Sequence, residues 1–337
     1  MKMIKGKNTL PKFGVFILLF AFGFVLFFSS CKNEIDLIAD YKDTTIVYAL
    51  LNPTDSVQYI RIHKAFVGEG NALEMAQYTD SFYYSSNLKV QLEEYKDGFL
   101  KRTITCKEDT SIKKDAGIFA TNPNLLYAAH DSIKQGNDYK LIITRGETAA
   151  PVTSTTIVLS NVFLIRPTGF TINFLDTPFV IIWYTSPYGV VYEPVFRFYY
   201  SETEKLNSQN TVAKYVDMRL GQKSIKETDV REKMEVGLEA TSFFRFVGTT
   251  IKKDTTVYRN ALSLEMIIYG GTQELYDYYR INNLTTNLAQ NIPFYTNITN
   301  GIGIFTSRRK DTYLKQLSNE SLDELKNGEF TKHLGFK

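Results

Sequence analysis

Leu88-Lys-Val-Gln-Leu-Glu-Glu-Tyr-Lys-Asp-Gly-Phe-Leu-Lys-Arg-Thr-Ile-Thr-Cys106 reads as two strands around a turn. Leu88, Val90 and Leu92 alternate with Lys89, Gln91 and Glu93, the period-two pattern of a half-buried strand. Asp97-Gly98 then supplies the two-residue turn that reverses the chain into 99–106. A register is thereby fixed, and with it the fold class. Upstream, 44–51 ends at the turn residues Asn52-Pro53-Thr54-Asp55, and 57–66 places Ile60 and Ile62 on one face and Tyr59, Arg61 and His63 on the other. Downstream, 125–129, 139–145 and 151–159 add strands. About seven strands in some 115 residues predict an immunoglobulin-like or transthyretin-like β-sandwich over 44–160, without the cysteine pair of antibody-type domains.

Beyond Asn161 the pattern changes. Residues 162–174, 179–184, 194–202 and 261–269 read as strands, with the sole Trp183 a core residue. Residues 238–250 carry Phe243, Phe244 and Val247 at helical spacing, and 272–281 present Leu275, Tyr276 and Tyr279 after Thr272 as N-cap. An α+β domain over 161–307 follows. The tail, 308–337, is expected to be helical, because Ser321-Leu-Asp-Glu324 forms a capping box and Asn327-Gly328 a stop. The fold class is mainly β with some α. Composition agrees: 337 residues, 44% hydrophobic, hold two cores without disulfides, and 22 Tyr and 24 Phe beside one Trp favour strands.

The N-terminus belongs to targeting. Lys2, Lys5, Lys7 and Lys12 precede an apolar run over 15–28, too short for the ~20 residues of a membrane-spanning helix. Phe28-Ser29-Ser30-Cys31 resembles the lipobox at which bacterial lipoproteins are cut and acylated. Residues 1–30 are thus expected to be a lipoprotein signal peptide, Cys31 the lipidated mature N-terminus carrying palmitate-type chains, and 31–43 a linker. Lys32-Asn33-Glu34 and Asp36 resemble the export signal of surface lipoproteins of Bacteroidota. Removing the four lysines leaves 35 basic against 36 acidic residues, so the formal charge falls from +3 to −1. No polybasic footprint for nucleic acid remains.

Four further segments carry a resemblance. They are Asn52-Pro-Thr-Asp-Ser-Val-Gln-Tyr-Ile-Arg-Ile-His-Lys-Ala-Phe66; Tyr139-Lys-Leu-Ile-Ile-Thr144 with Thr153-Ser-Thr-Thr156; Pro293-Phe-Tyr-Thr-Asn-Ile298 with Asn300-Gly-Ile-Gly-Ile-Phe305; and Thr331-Lys-His-Leu-Gly-Phe336. Together with the lipobox, they make the chain similar to a Bacteroidota outer-membrane lipoprotein family carrying a domain of unknown function, often encoded near TonB-dependent receptors. The resemblance implies location and architecture, and carries over no catalytic residue.

The residues themselves give no reaction. His63, His130 and His333 lie far apart, without zinc-ligand spacing, and no GxSxG elbow, Walker lysine or Asp-rich calcium loop is present. No metal or cofactor is expected. Glu93 and Glu94, as strand neighbours, face opposite ways and cannot act as a glycosidase pair; Glu202 with Glu204 and Asp229 with Glu232 are the other acid pairs. Cys106 reads as a buried structural thiol, and Asn300-Gly-Ile-Gly-Ile-Phe305 as a turn needing positive φ. Asp43-Thr-Thr45, Asp55-Ser-Val57 and Asp131-Ser-Ile133 match an O-glycosylation tripeptide of that phylum. The insertion over 67–86 carries Phe82, Tyr83 and Tyr84, read as a ligand platform against the alternative of rings packed over a sheet edge.

The expectation is a non-enzymatic, lipid-anchored protein of the outer membrane, on its periplasmic or surface face. It would act as a binding or accessory module with a TonB-dependent receptor or a surface glycan. A glycan hydrolase, with two carboxylates converging in a cleft, and an adhesion or matrix-attachment protein are the alternatives.

Overall fold

The computed structural model describes residues 44–65, 71–85, 88–282 and 294–337. The expected signal peptide over 1–30, Cys31 and the expected linker to residue 43 lie outside the described residues. Of the described residues 46% are strand and 14% helix, a mainly β fold with some α. None of their helices is long and apolar enough to cross a membrane.

Strands β1 (Thr45–Leu51) and β2 (Gln58–Lys64) pair antiparallel, Val47 opposite Ile62 and Ala49 opposite Ile60. Two single-turn helices follow, α1 (Ala72–Met75) and α2 (Thr79–Phe82). The hairpin of β3 (Lys89–Lys96) and β4 (Phe99–Asp109) turns at Asp97 and Gly98, both at positive φ (53° and 78°) as its twist requires. Val90 stands opposite Cys106 and Leu92 opposite Ile104. Strands β5 (Leu126–Ala129), β6 (Asp138–Thr144) and β7 (Val152–Ile157) complete the series, in the order β1-β2-β5-β4-β3-β6-β7. Alternate side chains of these strands meet in one hydrophobic cluster, which includes Val47, Ile60, Leu92, Ile104 and Leu141 and also takes Ile298 and Phe305 from far downstream. Thr153 and Thr299 exchange two backbone hydrogen bonds, 3.1 and 2.8 Å, so β7 meets the chain that returns beside β1.

The remaining chain builds a second cluster. Its strands are β8 (Phe163–Arg166), β9 (Thr171–Ile172), β10 (Phe179–Tyr184), β11 (Val191–Glu204), β12 (Thr211–Arg219), β13 (Lys223–Ser224) and β14 (Lys233–Leu238). Helix α3 (Ser242–Thr250), β15 (Val257–Gly271), α4 (Gln273–Asn282), β16 (Gly301–Leu317) and α5 (Asn319–Asn327) follow. The long strands β12-β11-β15-β16 lie side by side, and β14-β10-β8 form a separate small sheet. Between them Phe174 stacks on Phe243 at 4.1 Å, among Trp183, Phe196, Phe198 and Phe244. Such ring burial dominates the stability of a core this aromatic.

Several boundaries differ from the sequence reading. The helix expected from residue 238 starts at Ser242, because Met234 and Val236 are needed as strand residues opposite Trp183 and Ile181. The single strand expected over 162–174 is two short ones, interrupted at Pro167 and Gly169. Residues 308–317, expected within a helical tail, are the second half of β16. Helix α5 is capped by Ser318 rather than Ser321, whose hydroxyl is buried and accepts a hydrogen bond from the Phe174 N–H at 2.9 Å.

Strand β16 serves both cores. It runs parallel to β1 from Gly301 to Ser307, then antiparallel to β15 from Arg308 to Lys315. Gly303, at φ 116°, lies against β1 where an added Cβ would meet the Val47 carbonyl oxygen at 2.0 Å. Only glycine fits there. The Asn300-to-Phe305 segment therefore does hold positive φ, at Asn300 and Gly303, but as the opening of a strand. At the far end, Arg259 is 1% exposed, forks onto Glu202 and bonds the Leu334 carbonyl, fastening the C-terminal segment to β15.

Candidate functional site

The burial pattern of β1 decides where an accessible surface exists. Thr45, Val47, Ala49 and Leu51 point into the first core, so Ile46, Tyr48 and Leu50 point out. Helix α4 covers part of that outer face: Leu275 packs beside Gly271, where a Cβ would come within 2.6 Å of it, and Thr272 and Thr306 share a hydroxyl hydrogen bond of 2.8 Å. Further along, Tyr48 is 42% and Leu50 39% exposed. Tyr48 stands opposite Arg61 on β2, and Ile304 and Thr306 flank Tyr48 and Leu50 on β16. Where β1 ends, β16 continues with Arg308 and Lys310, the latter opposite Tyr269 of β15.

Two open depressions follow this line. One, of about 460 Å³, lies over Tyr48, Leu50, Tyr59 and Arg61; the other, of about 310 Å³, over Leu50, Tyr269, Arg308 and Lys310. Leu50 and Asp55 line both. A third, smaller hollow shares Tyr269 and Arg308 and reaches Tyr279 of α4. The rim is a rigid turn: the Asn52 side-chain oxygen accepts from Thr54 and its amide donates to Asp55, while Gln58 accepts from the Asn52 N–H and donates to the carbonyls of Asn52 and Asp55.

The charges divide into two groups. Arg309 Nε donates to both Asp311 carboxylate oxygens at 2.9 and 3.0 Å, Arg219 bonds Glu193 at 2.8 Å and Arg197 takes Asp217 bidentately. Arg61, Arg308 and Lys310, by contrast, have no carboxylate within 4.0 Å among the described residues. Arg61 reaches only the Asn124 side-chain oxygen at 3.4 Å, and the Arg308 guanidinium lies over the Tyr269 ring at 4.2 Å. Stacking of this kind holds a guanidinium in place with its edge free for an anion.

Phe82, Tyr83 and Tyr84 do not form an open platform. Phe82 is 1% and Tyr83 8% exposed. Their rings close over His63, at centroid distances of 5.1 and 5.3 Å, on the same outer face one residue pair beyond Tyr48 and Arg61. Phe119 completes the group, the Tyr83 hydroxyl accepts from the Leu125 N–H, and Tyr84 bonds Thr45 at 2.7 Å. The rings are apolar enough to prefer burial, and the sheet offered them a surface. Burial, with Arg61 and Lys114 nearby, pushes the His63 pKa down to about 4.

The other singled-out residues are separate. His130 and His333 are exposed on different elements, and no group of three or more potential metal ligands occurs among the described residues. Glu94 is buried and bonded by Arg102 and Asn137, Glu93 accepts from Tyr95, and Glu202 is held by Arg259 and Lys214. Cys106 is buried, and burial pushes its thiol up to about 12. The alternation of β1 and β2 already put Tyr48, Leu50, Tyr59 and Arg61 on one face; Tyr269, Arg308 and Lys310 could join them only once β16 was known to be a strand.

Set beside known proteins, the chain matches no family model and no curated protein.

Proposed function

We propose that the mature chain is a non-enzymatic, lipid-anchored binding module of the outer membrane, of the Bacteroidota lipoprotein type, working beside a larger partner such as a TonB-dependent receptor. In this reading β1–β7 form a sandwich of immunoglobulin or transthyretin type, held near the bilayer by chains on Cys31. More than one acyl chain makes such attachment stable. One observation carries the binding role: an outward Tyr48–Leu50 surface, bordered by three cations with no carboxylate within 4.0 Å among the described residues. Such a surface favours a partner that covers its apolar side chains and brings acids to its cations.

The test compares wild type, Cys31→Ala and Leu50→Ser in the native cell envelope. Labelled palmitate is expected on wild type and Leu50→Ser and not on Cys31→Ala, and Leu50→Ser is expected to lose the envelope protein that co-purifies with wild type. Palmitate on Cys31→Ala, or identical co-purification by Leu50→Ser, contradicts the proposal.

A further inference from the structure

We infer, resting on the binding-module reading above, that the surface takes an extended acidic polypeptide segment whose inward side chains run acid, apolar, acid. The depressions join end to end and cross β2, β1, β16 and β15, which are neighbours in that order. Arg61 and Arg308 lie two interstrand gaps apart across the sheet and are offset by four residues along it, about 16 Å in all with Leu50 midway, and the first, third and fifth residues of an extended chain face one way over about 14 Å, which the long side chains at both ends bridge.

The chemistry along the line is not uniform. Arg61 stands at one end, Arg308 and Lys310 at the other, and Leu50 between them. Asp55 lines both depressions beside Leu50 and repels a carboxylate placed in the middle. A continuous polyanion therefore fits worse than two acids separated by an apolar residue. What remains for recognition is charge at both ends and apolar surface between. The mature chain's balance of 35 basic to 36 acidic residues makes these three cations, set against Asp55 alone in the two depressions, a local departure rather than a general basic character.

The experiment uses the lipidated mature protein in detergent micelles, passed over surfaces carrying the peptides Glu-Ser-Leu-Ser-Glu, Glu-Ser-Glu-Ser-Glu or Lys-Ser-Leu-Ser-Lys, or polygalacturonate. Retention on the first is expected to exceed that on each of the others by about tenfold, and to fall as salt is raised. Arg61→Ala and Arg308→Ala are each expected to weaken it by about fivefold or more, and Asp55→Asn to raise retention on the all-acid peptide. Equal retention on the all-acid peptide or on polygalacturonate overturns the inference, as does retention indifferent to Arg61 and Arg308. If the peptide preference is absent while envelope co-purification still depends on Leu50, this partner chemistry falls and the binding module stands; if the preference is absent and co-purification is indifferent to Leu50, both fall.

Discussion

Burial changes what His63 can do. On the sequence it is a polar-face strand residue; in the fold it lies beneath Phe82 and Tyr83, with its pKa down to about 4. Between pH 6.5 and 4 the unfolded chain binds the proton that the folded chain refuses, so this group stabilises the fold above pH 6.5 and the contribution is lost as pH falls towards 4. The effect amounts to about 2 kcal/mol once the partial exposure of the ring is allowed for. Glu274, whose carboxyl burial raises, slopes the opposite way, so the informative quantity is a difference. Urea unfolding of wild type and His63→Phe at pH 7 and pH 5 is expected to show wild type losing stability relative to the variant on acidification. Parallel changes in both would contradict the placement of His63. At this scale the sequence was a poor guide: Phe82 and Tyr83 look the same in one dimension whether they greet a ligand or cover a neighbour.

Elements were read more faithfully where alternation is strong. The β3–β4 hairpin, β1, β2, β6, β7 and β10 lie close to where period-two patterning puts them, because one face of β1, β2, β3, β6, β7 and β10 is buried in a core and β4 follows β3 through the Asp97-Gly98 turn with Ile104 and Cys106 buried. Strands β12 and β16 were illegible for different reasons: β12 is largely solvated, whereas β16 is buried on both faces over 303–307 and then hides its alternation behind the long charged stems of Arg308-Arg309-Lys310-Asp311. The C-terminal helix shows a subtler failure, two serines three residues apart in competing roles. Ser318 caps α5 through the Ser321 N–H, whereas Ser321 satisfies the buried N–H of Phe174. Ser318→Ala is expected to cost about 1 kcal/mol. Ser321→Ala leaves a buried donor unpaired and is expected to cost about 1–3 kcal/mol, more than Ser318→Ala. Equilibrium unfolding of the two variants checks the order, and a larger loss at Ser318 than at Ser321 would contradict the pairing of the Ser321 hydroxyl with the buried Phe174 N–H.

Over the whole molecule, β16 is the part that makes the surface possible. By pairing with β1 and then with β15, it lays cations from the second core's sheet beside apolar side chains from the first. Half of the candidate site was therefore readable, in the outward positions of β1 and β2, and half was not, since it depends on a pairing between residues some 250 positions apart in the chain, a separation that local pattern does not report. The flanks follow the same logic: α4 closes one side through Leu275 and Thr272, and the rings over His63 close another, which leaves Tyr48 and Leu50 uncovered among the described residues. A photo-crosslinking amino acid at position 50, with a control at Leu314, which is 58% exposed, tests this most directly. In the intact envelope, position 50 is predicted to yield a discrete adduct that position 314 does not, and that disappears when Arg61→Ala and Arg308→Ala are added. The same adducts from both positions, or an adduct at 50 that survives loss of both arginines, would contradict the account.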